Sequence, residues 1–208
     1  MLPEELAGIL APNIGIKAEH KKSATASCTY RFGEKMNYAT IKKNDIANGL
    51  GIRISLFVSG CTHHCKGCFN SIAWNFDYGN PFKEETQNQI LSLLDKPHIK
   101  GLTLLGGEPM EPQNQVEVIK LLRQVKQKFP QKDIWCYSGY TLEELRDTNN
   151  RSHTPVTDEI LSLVDVLVDG KFVEEKKNLK LKFRGSENQR IIDMNKTRTQ
   201  HKIVLLDI

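Results

Sequence analysis

Three cysteines, Cys61, Cys65 and Cys68, stand at C-x3-C-x2-C spacing within "GCTHHCKGCF", Gly60–Phe69. Two histidines, His63 and His64, lie between the first two. Thiols crowded this closely on a polar loop are metal ligands in waiting, because a free cysteine otherwise favours burial. The chain has five cysteines, and the other two, Cys28 and Cys136, are distant in sequence. An odd number with three gathered together does not make a disulfide framework. Two metal chemistries fit. One is a structural zinc site, with His63 or His64 as fourth ligand, although such sites usually come as two separated ligand pairs and no second pair exists here. The other is a 4Fe–4S cluster held by three thiolates, which leaves one iron open to a substrate, as an open position separates catalytic from structural zinc. A four-cysteine electron-carrier cluster lacks its fourth ligand nearby. Cys136 falls inside a predicted strand and reads as a core thiol.

The elements around these residues alternate. "RISLFVS" (53–59) reads as a buried strand running into the cysteine loop, and "NQILSLL" (88–94) as a helix. "GLTLLGG" (101–107) is a short apolar strand stopped by two glycines. Val118, Leu122, Val125 and Phe129 recur at helical spacing behind Pro112, a residue suited to a helix start. "DIWCYSG" (133–139) is a strand, and Thr141 with Glu144 forms a capping box for a short helix. Thr154-Pro155 opens a further helix, "VDVLVDG" (164–170) is a strand, and the tail holds two strand candidates, "RIIDM" and "KIVLL". Strand–helix alternation implies βαβ units, hence an α/β domain on a mainly parallel sheet, with too few units for an eight-fold barrel. Ligands of such sheets gather at the C-terminal strand ends. The cysteine loop, "GGEP" (106–109), "YSGY" (137–140) and "DGKF" (169–172) each follow a predicted strand and are expected on one rim.

C-x3-C-x2-C followed about forty residues later by "GGEP" at a strand end resembles the radical S-adenosylmethionine (SAM) superfamily. The resemblance implies a partial βα barrel holding a 4Fe–4S cluster on Cys61, Cys65 and Cys68, with SAM's amino and carboxylate groups on the open iron. It implies reductive cleavage of SAM to a 5′-deoxyadenosyl radical. Gly67, Cys68 and Phe69, with Gly106, Gly107 and Glu108, are then cofactor-binding positions. The glycines let backbone approach the ligand, and Glu108 suits an ammonium group. Phe69 either packs near the adenine or anchors the loop.

"NGLGIRISLFVSGCTHHCKGCFN", Trp74, "DIWCYSGYTLEEL", "VDVLVDGKF" and "RGSENQR" together resemble the anaerobic ribonucleoside-triphosphate reductase activating enzymes, from about Met36 to Arg190. This implies transfer of the radical to a backbone glycine on the large reductase subunit. It also implies reduced flavodoxin or a similar low-potential carrier as electron donor. Activation of another glycyl-radical enzyme, of the pyruvate formate-lyase type, is the alternative within the class. A zinc-stapled, non-catalytic module is the alternative outside it.

Residues 1–35 show no sustained period and lie outside the resemblance. They are expected to be a poorly ordered extension to a radical SAM domain over 36–208. A chain of 208 residues, with 29 basic and 25 acidic residues interspersed, gives little support to nucleic-acid binding. No apolar run reaches the roughly 18 residues of a membrane span, and the opening "MLPEELAGIL" lacks a basic signal-peptide start. A cytoplasmic location is the expectation. His63 and His64 are expected to face solvent, since the cluster needs no histidine. Tyr137 and Tyr140 are candidates for SAM contact or rim packing, Lys171 for the site or a plain turn, and Arg184 and Arg190 for partner docking.

Overall fold

A computed structural model describes residues 36–208. The expected extension over 1–35 and Cys28 lie outside the described residues. The chain order is β1 (Asn37–Asp45), β2 (Arg53–Val58), a 3-10 turn (Ser71–Trp74), β3 (Asn80–Pro81), α1 (Glu84–Leu94), β4 (Gly101–Gly106), α2 (Pro112–Lys128) and β5 (Asp133–Ser138). α3 (Leu142–Arg146), α4 (Thr157–Leu163), β6 (Val166–Asp169), a second 3-10 turn (Glu174–Lys176), β7 (Arg190–Asp193) and α5 (Met194–Gln200) complete it.

Among the described residues seven strands form one open sheet in the order β3-β1-β2-β4-β5-β6-β7. β2, β4, β5 and β6 run parallel, and β1 and β7 flank them antiparallel. This is a partial βα barrel with a mainly parallel centre, as the alternating pattern requires. Strands β2, β4 and β6 are buried almost throughout, the behaviour of parallel strands covered on both faces.

One face carries the helices. Ile54, Leu56, Leu102, Leu104, Ile134, Cys136 and Leu167 meet Ile90 and Leu94 of α1, Val118 and Leu122 of α2, Leu145 of α3 and Ile160 of α4 in the main core. α2 begins on Pro112, where the missing N–H costs nothing, and carries Lys126 and Lys128 in its last turn, where they oppose the helix dipole. α3 has the expected capping box: Glu144 N donates to Thr141 Oγ1 at 3.2 Å and Thr141 N to Glu144 Oε2 at 2.8 Å. The opposite face holds a smaller cluster, Trp135, Val166, Val168 and Ile191, packed by Tyr137, Phe183, Leu206 and Ile208. This second face is the inside of the open barrel.

Three expectations change. α4 starts at Thr157 rather than at Thr154-Pro155, because Thr154 N donates to Thr157 Oγ1 at 2.8 Å and closes a turn first. "KIVLL" forms no full strand; Leu205 makes one bridge to Ile192, and Asp193 N and Leu206 N donate to Val204 O and Ile191 O along the free edge of β7. Arg190 does not offer its guanidinium to a partner. It donates from Nε to Asp169 Oδ1 at 2.9 Å and from Nη2 to Asp169 Oδ2 at 2.5 Å, and both Nη atoms reach the Glu143 carboxylate. These bonds raise its pKa further, the Asp169 contact most, and tie α3, β6 and β7 together.

Candidate metal centre

Because β2, β4, β5 and β6 are parallel, their C-terminal ends lie on one rim. The four loops expected there surround a single cavity of about 560 Å³. Cys61, Cys65, Gly67, Cys68 and Phe69 line it from the first loop, Gly106, Gly107 and Glu108 from the second, Tyr137, Ser138 and Gly139 from the third, and Gly170 and Phe172 from the fourth. The three cysteines with Gly67, Phe69, Gly106, Gly107 and Glu108 therefore all border this space, whereas of the further candidates Tyr137 does and Tyr140 and Lys171 do not. Leu105, Tyr137 and Val168 carry the lining down the inner face of the sheet.

Backbone bonds anchor the cysteine loop at its base. Gly60 N and Cys61 N donate to Ala73 O and Trp74 O at 2.8 and 3.1 Å, and Gly60 O accepts from Glu108 N at 2.8 Å. Cys68 N donates to Cys65 O at 3.1 Å, closing the turn that brings the last two thiols together. Gly107 sits where these segments meet: a Cβ there would lie 2.5 Å from Gly60 O and 2.9 Å from Ala73 O. The space it spares belongs to the cysteine loop rather than to a ligand. Substitution here therefore moves the loop itself, a broader effect than crowding SAM alone.

Cys61 is buried, Cys65 and Cys68 half-buried, and no disulfide joins them. Burial, aided by the Glu108 carboxylate, pushes the Cys61 thiol up to about 12, and burial also raises Cys65. The bare thiols of Cys61 and Cys65 are thus held protonated, and metal loading must displace their protons. Among the described residues no three His, Cys, Asp or Glu side chains are placed to hold a metal ion between them. The thiols line a cavity instead, and its volume falls in the range of cofactor pockets. The donor set is three soft sulfurs, suited to iron–sulfur chemistry. Tyr137 Oη, buried on the cavity wall, has no hydrogen-bond partner among the described residues. These features fit a cluster with an organic ligand beside it.

His63 corrects the solvent-facing expectation. Its side chain is 5% exposed, and Nε2 lies 3.1 Å from Glu108 Oε2. His64 is exposed at φ 47° with its ring 4.7 Å from that of Trp74. Phe69 is 87% exposed, so it does not anchor the loop in the core. Lys171 stays outside the cavity and exposed. Arg184 borders the cavity, with Nη1 donating to Gln189 O at 2.6 Å. In "RGSENQR", Gln189 Oε1 accepts from Gly185 N and Ser186 N, and Nε2 donates to Gly170 O, so this segment braces the fourth rim loop.

Sequence reasoning missed a polar brace behind the cysteines. Glu111, 1% exposed, accepts from Thr62 N and Thr62 Oγ1 at 2.9 and 2.5 Å and pairs with Arg151 Nη2 at 2.9 Å. Arg151 Nη1 also donates to Thr62 Oγ1. Asn114 Nδ2 donates to Ser59 O and Glu108 O, both at 2.9 Å, joining the ends of β2 and β4. The available signal was the pair of carboxylates at three-residue spacing in "GGEPMEP", too polar to be ordinary turn residues beside two apolar strands.

An open α/β sheet whose parallel ends converge on three thiols and a Gly-Gly-Glu-Pro turn has the make-up of a radical SAM protein. The 4Fe-4S single cluster domain family matches at residues 47–192. The anaerobic ribonucleoside-triphosphate reductase-activating protein of Pasteurella multocida (strain Pm70) is 46% identical over 157 residues, covering 74% of this chain and 95% of that protein. The proteins of the same name from Escherichia coli (strain K12) and Enterobacteria phage T4 are each 44% identical over 156 residues, with 96% and 93% of their lengths covered. The chain belongs to the family of anaerobic ribonucleoside-triphosphate reductase-activating proteins.

Proposed function

We propose that this protein places a glycyl radical on the large subunit of an anaerobic ribonucleoside-triphosphate reductase. The observation that carries this is the meeting of Cys61, Cys65 and Cys68 with "GGEP" and "YSGY" on one cavity, in a chain of this family. A 4Fe–4S cluster and SAM, when bound, would supply one-electron reductive chemistry and with it the power to abstract a hydrogen atom.

The chain's own residues supply position and dryness. Cys61, Cys65 and Cys68 would hold the cluster through their three sulfurs. Gly67 and Gly106, both at positive φ, shape the rim: a Cβ on Gly67 would meet the Glu174 carboxylate and one on Gly106 the β2 backbone. Glu108 and the backbone of Gly106 and Gly107 set the methionine end, and Phe69 lies at the exposed rim. Loop backbones and Leu105, Tyr137 and Val168 exclude water from the inner wall. The reductase segment carrying the glycine enters over this rim. Reduced flavodoxin or a similar low-potential carrier is the electron donor, and the reaction takes place in the cytoplasm. Residues 36–208 form the catalytic domain, and 1–35 are an extension to it.

Anaerobic incubation with the reductase, SAM and a reductant should give a doublet EPR signal on the partner. The main splitting should collapse when the partner's glycine carries deuterium at Cα. Deoxyadenosine formation without any radical on the reductase would remove the choice of partner and leave the SAM chemistry.

A further inference from the structure

We propose that His63 is a positioning residue for SAM binding, acting through the Glu108 carboxylate; this rests on the function proposed above. Glu108 is 1% exposed and its two oxygens are held by three donors. Oε1 accepts from Met110 N at 2.8 Å; Oε2 accepts from Gly139 N at 2.6 Å and lies 3.1 Å from His63 Nε2. A carboxylate only accepts, so His63 Nε2 carries the hydrogen. One side chain thereby joins three rim loops: the cysteine loop through His63, its own turn through Met110, and "YSGY" through Gly139.

The fit around the imidazole is close on every side. Its ring centroid is 4.3 Å from that of Tyr140, at an interplanar angle of 62°. A Cβ on Gly139 would lie 2.3 Å from His63 Cδ2. The glycine of "YSGY" is thus required by the histidine ring. Without the Nε2 donor, the Glu108 carboxylate loses its side-chain link to the loop that carries the thiols, and only the backbone bond from Glu108 N to Gly60 O remains. The carboxylate then rests on Met110 N and Gly139 N alone, and its orientation is no longer set from the cysteine loop.

The test uses anaerobically reconstituted holoprotein and three readings: iron per chain, the dissociation constant for SAM, and the change SAM causes in the EPR spectrum of the reduced cluster. His63→Phe keeps a ring against Gly139 and Tyr140 but removes the donor, and His63→Gln restores a donor. His63→Phe should load iron like the wild type, bind SAM about tenfold or more weakly, as for loss of a charge-assisted hydrogen bond, and show a smaller spectral change. His63→Gln should recover most of both. Wild-type SAM binding in iron-loaded His63→Phe, or no recovery in His63→Gln, overturns the proposal.

Should His63→Phe take up no iron, His63→Gln decides alone. Near-normal iron and SAM binding support the role, and weak SAM binding with full iron overturns it. Loss of iron in both variants assigns His63 to cluster assembly and likewise overturns it. None of these readings involves the reductase. Failure to form a glycyl radical with intact SAM binding would therefore remove the proposed function and leave the role of His63 standing.

Discussion

At the N-terminal ends of β2, β4 and β5 a fully buried guanidinium is enclosed by the chain itself, whereas at their C-terminal ends three thiols and a carboxylate line a cavity. Arg53 donates from Nε to Thr103 Oγ1 at 2.7 Å, from Nη2 to Leu102 O at 2.8 Å and from Nη1 to Leu50 O at 3.1 Å. It pairs with Asp133 at 2.5 Å and lies 5.4 Å over the Trp135 ring. Its donors are met, and the barrel is plugged at that end. At the other end Glu108 is held by Met110, Gly139 and His63, while the three thiols border an open cavity. A buried charge with all its bonds made stabilises a fold only modestly. Groups left facing a cavity mark where a guest belongs.

The contrast breaks most sharply at the thiols. Cys61→Ala, Cys65→Ala and Cys68→Ala should each abolish SAM cleavage, with the 4Fe–4S absorption and EPR signals lost or left unresponsive to SAM. Cys136→Ala should keep iron and cleavage at the cost of about 1 kcal/mol for a small core cavity, read from urea unfolding of the holoprotein. Iron loss from Cys136→Ala as complete as from the other three would end the three-ligand reading.

The next effect lies at the base of the loop. Gly107→Val should lower iron content together with SAM affinity, since its side chain meets Gly60 O and Ala73 O. Full iron with weakened SAM binding would place the clash in the cavity instead. At the plugged end, Arg53→Met should cost about 3 kcal/mol, the low end for breaking a buried pair because Asp133 is 26% exposed. The protein that remains folded should still bind iron, and denaturation followed alongside iron content separates the two ends.

Smaller still is Arg151→Ala. It leaves Glu111 with Thr62 alone and should cost about 1.5 kcal/mol, the lower value for a hydrogen bond to a charged group, since Arg151 is 52% exposed. The smallest change should follow from starting the chain at Met36, which is expected to leave the rate of deoxyadenosine formation unaltered; insoluble or iron-free protein would show that residues 1–35 belong to the fold.

The cavity was legible in the sequence because each of its four loops follows an apolar strand, and parallel strands place such loops together. The capping box of α3 was legible because it is local. β1 was not: "NYATIKKND" is only partly buried and lacks apolar alternation, and pairing with β2 and β3 makes it a strand. α5 escaped notice for a similar reason, since only Met194 and Thr197 of "MNKTRTQ" are buried. The burial of His63 depends on Gly139, a residue of another strand's loop, and no local pattern reports such a contact. Arg190 looked available because its partners, Asp169 and Glu143, lie on different elements.

The sheet also ends deliberately on both sides. At one border stands β3, two residues long and finished by Pro81, which cannot donate to a further strand. At the other, Val204 to Leu206 cover β7 with two backbone bonds and one bridge. Exposed ladders recruit other chains, and short proline-ended or covered borders prevent that. Among the described residues the tail therefore occupies a ladder edge on β7 that would otherwise stand open to a neighbouring molecule.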